Sequence, residues 1–234
     1  MSIEFFNFDN GYAIFSKSDY ATRRHSHYAL EIVCCKEGSF NIITDHSSYT
    51  NLQNVIIPPN LRHSFSCMDA TCDLLFLDPL SDLGRYFMQQ YNLVSLKNVL
   101  VNVSELGQIH QNGKFDISRI LDSAETSITR DIDIRILNCI QKINSLFTDK
   151  VTLSQLSEAS FLSEGRFSHL FKKELGISVH QFILWKKILL AVLKSREGYS
   201  LTECAHYVGF ADSSHFHKVF YKMFGIKPFF VLKG

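Results

Sequence analysis

The chain has 234 residues, 46% of them hydrophobic and 20% charged, enough to bury one sizeable core or two small ones. No window approaches the ~18 consecutive apolar residues of a membrane span, and Met1 to Asp9 sets no basic segment ahead of an apolar one. Membrane insertion and export are thereby disfavoured, and a cytoplasmic protein is expected, whose six cysteines, free of any CxxC pair, stay reduced. The net charge of +1 hides an asymmetry. Residues 1–130 carry 10 Lys+Arg against 14 Asp+Glu, and residues 131–234 carry 14 against 9. A basic second half suits a polyanion, although so modest a balance also suits an ordinary solvated surface.

From Ala13 to Leu77 the apolar residues come in short β-branched and aromatic runs: Ala29–Val33, Phe40–Thr44, Asn54–Ile57 and Asp73–Leu77. The breaks between them are polar or carry Gly and Pro, the pattern of a small all-β sandwich or barrel. After Pro79 the period lengthens. Residues 80–92 and 115–130 have helical spacing, and Ile132, Ile136, Ile140, Ile143 and Phe147 share one helical face. Glu105–Lys114, with Gly107, Asn112 and Gly113, is expected as a flexible joint. The stripe Ile117, Ile120, Leu121, Ala124 and Ile128 suits a partner helix, which makes a homodimer the expectation, or else internal packing.

The strongest signal is an internal repeat. Phe167–Ile177 aligns with Phe216–Ile226, matching Phe, Phe, Lys, Gly and Ile at one constant offset. Each copy has an apolar stripe that must face a core, and Gly176 and Gly225 stop the helices. Upstream, Thr152–Gln155 and Ser200–Glu203 both fit a capping box. Ser157 and Ala205 are small where two helices cross, and Gly209 supplies a turn. This is helix-turn-helix grammar written twice. A third capping box, Ser178–Gln181, opens a connecting helix that packs Phe182, Trp185, Leu189 and Val192 and keeps Lys186, Lys187 and Lys194 in water.

With the stripes assigned to the core, the outward faces remain: Ser163, Glu164, Gly165, Arg166, Ser168, His169, Lys172 and Lys173, then Ser213, Ser214, His215, His217, Lys218 and Lys222. Their hydroxyl, imidazole, ammonium and guanidinium groups are of the kind that reach base edges and phosphates. Phosphate contacts are expected from Lys172, Lys173, Lys186, Lys187 and Lys222.

Residues 132–231 resemble the double helix-turn-helix DNA-binding domain of the AraC/XylS family of bacterial transcription regulators. The resemblance rests on Leu153-Ser-Gln-Leu-Ser-Glu-Ala159, on Phe167-x-x-Leu-Phe-Lys-Lys-Glu-Leu-Gly-Ile-Ser178, and above all on the run from Val208-Gly-Phe-Ala-Asp-Ser-Ser-His-Phe216 to Phe224-Gly-Ile-Lys-Pro228. It implies that Gly165, Arg166, Ser168 and His169 on one helix, and Ser213, Ser214, His215, His217 and Lys218 on the other, face DNA. Three positions depart from the pattern. Phe161 stands where Gly209 stands in the second copy, Gly165 offers no side chain, and Val231-Leu232 replaces an aromatic-basic ending. If residue 161 needs a positive φ, a Phe there is strained.

In the β half, His25-Ser-His27-Tyr-Ala-Leu-Glu31-x6-Gly38, followed by Pro58-x-Asn60-x2-His63, resembles the two cupin motifs. Residues 25, 27 and 31 share a strand parity. Three imidazoles and a carboxylate suit a divalent transition metal, while the same positions in cupin-like sensory domains line a ligand pocket without one. The pocket reading is the favoured one, with Arg24, His25, His27, Tyr28, Glu31, His63 and Phe65 as effector-pocket residues, Arg23 and Arg62 near its mouth, and no metal or cofactor expected.

The expected architecture is α+β with two domains: a small cupin-like β barrel over residues 1–80, covering helices over 81–130 with a possible dimerisation role, and an all-α double helix-turn-helix domain over 131–234. The expected function is a regulator, by family resemblance an activator, that binds promoter DNA in response to a small molecule and works with RNA polymerase. The alternative is a metal-dependent cupin enzyme with an appended helical domain.

Overall fold

The computed structural model describes residues 2–7, 10–94, 96–125, 132–145, 151–225 and 227–228. The chain divides into two compact units, residues 1–128 with 220–234, and residues 129–219.

The first unit is built on an antiparallel sheet of β1 (Ser2–Asn7), β2 (Tyr12–Ala21), β3 (Leu30–Glu37), β4 (Phe40–Thr44), β5 (Ser48–Leu52), β6 (Asn54–Ile57), β7 (His63–Leu77) and β8 (Leu100–Val101). The strand order is β1-β2-β7-β3-β6-β8, with β4 joining β7 to β5. Three partners share β7: its first residues pair with β4, its remainder with β2, and its last seven with β3. The sheet thereby curls into a nearly closed barrel. A kink lies where Asp69 and Asp19 take positive φ of 59° and 49°, the β2 ladder shifts register between Ser18 and Tyr20, and the Asp69 N–H donates to Asp19 Oδ1 at 2.9 Å. Bulges of this kind bend and twist a strand.

The unbroken apolar runs have a simple cause, for their strands are covered on both faces. Leu30, Ile32 and Cys34 of β3, Ile56 of β6, and Leu75 and Leu77 of β7 pack outward on Leu83 and Phe87 of α1 (Asp82–Gln90) and Ile120 of α3 (Ile117–Glu125). Their alternates Val33, Val55, Ile57 and Leu74 join Phe40, Ile42, Phe65 and Cys67 inside the barrel. Two expectations change here. Glu105–Lys114 is no joint: it folds into α2 (Leu106–Ile109) and a hairpin of β9 (His110–Gln111) and β10 (Lys114–Phe115), turned by Asn112 and Gly113 at positive φ. Leu106 and Phe115 are buried, and His110 Nε2 lies 2.9 Å from Asp73 Oδ2. Nor is the stripe on α3 left for a partner helix, because Ile117, Ile120 and Leu121 belong to the cluster beneath the sheet; Ile128 lies outside the described residues.

The second unit and its continuation hold α4 (Ile134–Ser145), α5 (Leu153–Ala159), α6 (Glu164–Leu175), α7 (Val179–Arg196), α8 (Leu201–Tyr207) and α9 (Ser213–Phe224). Ile136, Ile140 and Ile143 of α4 are buried as their spacing demands; Phe147 and the Val231-Leu232 ending lie outside the described residues. All three capping boxes form, at Thr152, Ser178 and Ser200. Gly176 and Gly225 close α6 and α9 at φ of 71° and 68°. Ser157 and Ala205 are buried at the helix crossings. The connecting helix is not wet along one side: Lys186 is only 9% exposed, and α7 also buries Val179, Ile188 and Ala191. Among the described residues no single helix is long and apolar enough to cross a membrane.

Candidate functional site

Two groups of side chains stand apart from the core. The first lies on α6 and α9. Ser163 caps α6 by accepting the Arg166 N–H, and Asp212 caps α9 by accepting the His215 N–H at 2.7 Å. Both helix starts are thus held by a side chain that satisfies an orphan donor. With Phe167, Phe171 and Leu175 turned inward, Ser163, Glu164, Gly165, Arg166, His169, Lys172 and Lys173 are exposed, and Ser168 is half-buried. With Phe216 and Phe220 turned inward, Ser214, His215, His217, Lys218 and Lys222 are exposed, and Ser213 is half-buried.

Among the described residues none neutralises the charges of Arg166, Lys172, Lys173, Lys218 or Lys222. The α7 lysines behave differently. Lys186 is buried over the Phe182 ring, Lys187 donates to Gly209 O at 3.4 Å and lies over Phe210, and Lys194 pairs with Glu197 at 2.6 Å. Packing holds the first two, and burial lowers the Lys187 pKa. The expectation that Lys186 and Lys187 reach phosphates is therefore withdrawn. Asp212 was missed because three short polar residues in a row, Asp212, Ser213 and Ser214, can each cap a helix.

The second group closes one end of the barrel. His25 and His63 are paired through both main-chain hydrogen bonds at 2.9 Å, which sets their rings 4.4 Å apart. His27 joins them at ring distances of 5.4 Å and 5.3 Å. Each Nδ1 lies 2.9 Å from a main-chain carbonyl two residues away: Arg23 for His25, Ala29 for His27 and Leu61 for His63. A carbonyl only accepts, so each Nδ1 carries a proton and the three Nε2 atoms are left to face one another. Glu31 Oε2 sits 3.0 Å from Nε2 of His27 and 3.3 Å from Nε2 of His63.

All four residues are buried. Burial first, then repulsion from His63 and His27, lowers the His25 pKa to about 3. Burial pushes the Glu31 carboxyl up, but His27 and His63 more than reverse this and hold it below the usual carboxylate range.

The histidine ligand atoms lie within 4.8 Å of one another. Convergent imidazoles beside a carboxylate, with each Nδ1–H fixed by a carbonyl, are the donor set and supporting shell that a divalent transition metal takes. The residues fit such an ion.

The remaining pocket expectations divide. Phe65 lines the interior with Phe40 and Tyr20. Tyr28 is buried too, but it lies in the bend just before β3, and the charge acting on it is Asp78. Arg24 is a surface residue committed to Asp45 at 2.7 Å and Thr44 O at 2.9 Å, and Arg23 and Arg62 are exposed. Sequence reasoning also passed over Lys17, a buried base on β2.

A family model described as a helix-turn-helix domain matches residues 156–233. The probable transcriptional regulator LumQ of Photobacterium leiognathi is 24% identical over 188 residues, which span 74% of this chain and 75% of LumQ. The arabinose operon regulatory protein of Escherichia coli strain K12 is 29% identical over 116 residues, 47% of this chain and 38% of that protein. Among solved structures, ToxT from Vibrio cholerae in its unsaturated-fatty-acid-bound form superposes with a TM-score of 0.61 at 15% identity, covering 93% of each chain. At that identity the likeness is one of fold.

Proposed function

We propose that the chain is a DNA-binding transcription regulator of the AraC/XylS type and that α6 and α9 are its reading helices, a reading supported by the helix-turn-helix match over residues 156–233 and by its similarity to LumQ. The observation that carries this reading is the doubled face of cations, unneutralised among the described residues, on two capped helices. Arg166, His169, His215, His217 and Lys218, with Ser163, Glu164, Ser168, Ser213 and Ser214, meet base edges near the helix starts. Lys172, Lys173 and Lys222, further along, hold phosphates. The barrel serves as a sensory module for a small molecule, a reading supported by its apolar interior and by its likeness in fold to a protein solved with a fatty acid. Activation, through contact with RNA polymerase at a promoter in the cytoplasm, is the outcome the family favours.

The test is a salt-titrated binding assay on the upstream DNA of its own gene. His215→Ala and Lys218→Ala are expected to lose discrimination between that duplex and a scrambled one, and Lys222→Ala to weaken both equally. Equal binding of every variant to any duplex overturns the assignment.

A second reading is favoured by the three converging Nε2 atoms: His25, His27, His63 and Glu31 hold a divalent metal without turnover. Such an ion would tie the segment before β3 to the start of β7 and add its binding energy to folding. Metal analysis of the purified protein and of His63→Ala checks this, with stoichiometric metal expected in the first and none in the second.

A further inference from the structure

Three of the six cysteines meet on the inner face of the barrel. Cys35 on β3, with Cys67 and Cys72 on β7, packs into the interior cluster, whereas Cys34 faces the outer one and Cys139 and Cys204 lie in the helical unit. Cys35 stands directly opposite Cys72 in the β3–β7 ladder. Its N–H is turned to the other side, where it donates to Gln53 O at 2.7 Å, so no main-chain hydrogen bonds join the two cysteines. Pairs of that kind are the closer ones in an antiparallel ladder, with Cα atoms about 4.5 Å apart, and disulfides span about 4.4–6.8 Å. Directly opposed side chains also leave the sheet on the same face. A side-chain hydrogen bond joins Cys72 to Cys35, and another joins Cys72 to Cys67.

The three thiols are free and differ in access: Cys35 is half-buried, and Cys67 and Cys72 are buried. Residues 36–38, which follow Cys35, are exposed, so the edge of the pair that meets solvent is the Cys35 edge. Burial raises the Cys35 pKa, and the hydrogen bond to Cys67, then burial, raises that of Cys72. The pair therefore rests as two protonated thiols, with the inner one out of reach of solvent.

We propose that Cys35 and Cys72 are a peroxide-oxidisable pair that closes to a disulfide between β3 and β7. Cys35 reacts first. Its thiolate attacks one peroxide oxygen: the S–O bond forms, the O–O bond breaks, and the hydroxide that leaves takes up the Cys35 proton as water. The sulfur, oxidised by two electrons, is now a sulfenic acid. Cys72 then attacks that sulfur: the S–S bond forms, the S–O bond breaks, and the departing hydroxide carries the Cys72 proton away as a second water. Two thiols and one hydrogen peroxide thus give one disulfide and two waters. Sheltered as it is, Cys72 resolves the sulfenic acid and is not itself the first target. The link ties β3 to the strand that β2 and β4 also share, and a dithiol reverses it.

The experiment treats the full, reduced chain with a few equivalents of hydrogen peroxide, in buffer and in concentrated urea, blocks the remaining thiols with N-ethylmaleimide and maps the digest by mass spectrometry. In buffer the Cys35–Cys72 disulfide is expected as the main product, formed roughly tenfold or more faster than in urea because the fold holds the two thiols together, and absent after treatment with dithiothreitol. Cys72→Ser is expected to leave a Cys35 sulfenic acid that dimedone labels. Cys35→Ser is expected to leave Cys72 unlabelled, and Cys67→Ser to keep the Cys35–Cys72 link. A Cys67–Cys72 disulfide in its place, disulfides between chains, equal rates in buffer and urea, or intact thiols in buffer overturn the assignment. The comparison of buffer with urea needs only the wild-type chain, so it decides even if a variant does not fold.

Discussion

Phe161 holds, at φ of +55°, the place in the first helix-turn-helix turn that Gly209 holds at +73° in the second. The hydrogen bonds around them match. Phe161 N–H donates to Glu158 O and Leu162 N–H to Ser157 O; Gly209 N–H donates to His206 O and Phe210 N–H to Ala205 O, all at 3.0 Å. The turn therefore demands a left-handed residue in both copies, and the first copy meets the demand with a Phe that is 96% exposed.

Phe161→Gly is expected to stabilise the helical unit by about 1 kcal/mol, the penalty an L side chain suffers in that region. Gly209→Ala is expected to cost about as much, with its new Cβ 3.2 Å from Lys187 Nζ. Urea unfolding followed by the fluorescence of Trp185, the single tryptophan, buried in α7, reads both.

Gly165 sits in the first turn of α6, where an added methyl group would meet nothing within 4 Å and where φ is not positive. Gly165→Ala is expected to add about 0.5–1 kcal/mol through backbone entropy. The same Trp185 unfolding curve checks it, and no change in the urea midpoint would contradict the geometry.

Ala205 is wholly buried where α8 packs. Ala205→Leu overfills that contact and is expected to destabilise by about 2 kcal/mol. Ser157→Ala, by contrast, removes only a hydroxyl that donates to Ser154 O; a loss within about 1 kcal/mol is expected. Comparison of the two midpoints distinguishes close packing from hydrogen bonding at equivalent positions.

Asp73 carries a pH dependence. It is buried on the outer side of the sheet, and although burial pushes its carboxyl up, His110, Lys36 and Ser16 hold the pKa below the ordinary carboxylate value. A depressed folded pKa means that the unfolded chain binds the proton more readily. Its stabilisation is thus complete above the unfolded value of about 3.9 and is lost as pH falls through the lower folded value. Asp73→Asn is expected to flatten the acid limb of the stability curve, and Asp73→Ala to cost roughly 3 kcal/mol at neutral pH. Circular dichroism melts across the acid range test both.

Lys172→Ala and Lys173→Ala are each expected to lower the slope of log affinity against log salt by about 1, with base preference retained. A change in preference without a change in slope would move these residues from phosphate to base edge.

The helical half was largely legible because its signals are local: a capping box spans four residues, and a Phe stripe repeats within one turn or two. Those rules located Thr152, Ser178, Ser200, Gly176 and Gly225. They misjudged Lys186, whose burial depends on what packs around α7. In the barrel, Ile56 and Leu75 announced buried strands, but the polar first half of β7, Asp19 and Asp69 at the bulge, and β5 did not, since their pairing partners are remote in sequence. Glu105–Lys114 looked loose because turn residues say nothing of the Asp73–His110 link. The histidine set was readable from the spacing of its motif, although His25 and His27 precede β3, and His25 meets His63 through an isolated bridge rather than along one strand. Lys17 was hidden because a lone lysine in a strand reads as surface until its neighbours are known.

Because β7 is shared among β2, β3 and β4, and Tyr12 must find Leu77 to close the ladder, the front of the molecule cannot finish assembling until its seventh strand has been synthesised. The helical unit needs only near neighbours. Refolding is therefore expected to run at two speeds, with Trp185 reporting the quick one and the barrel following more slowly, as its greater contact order requires.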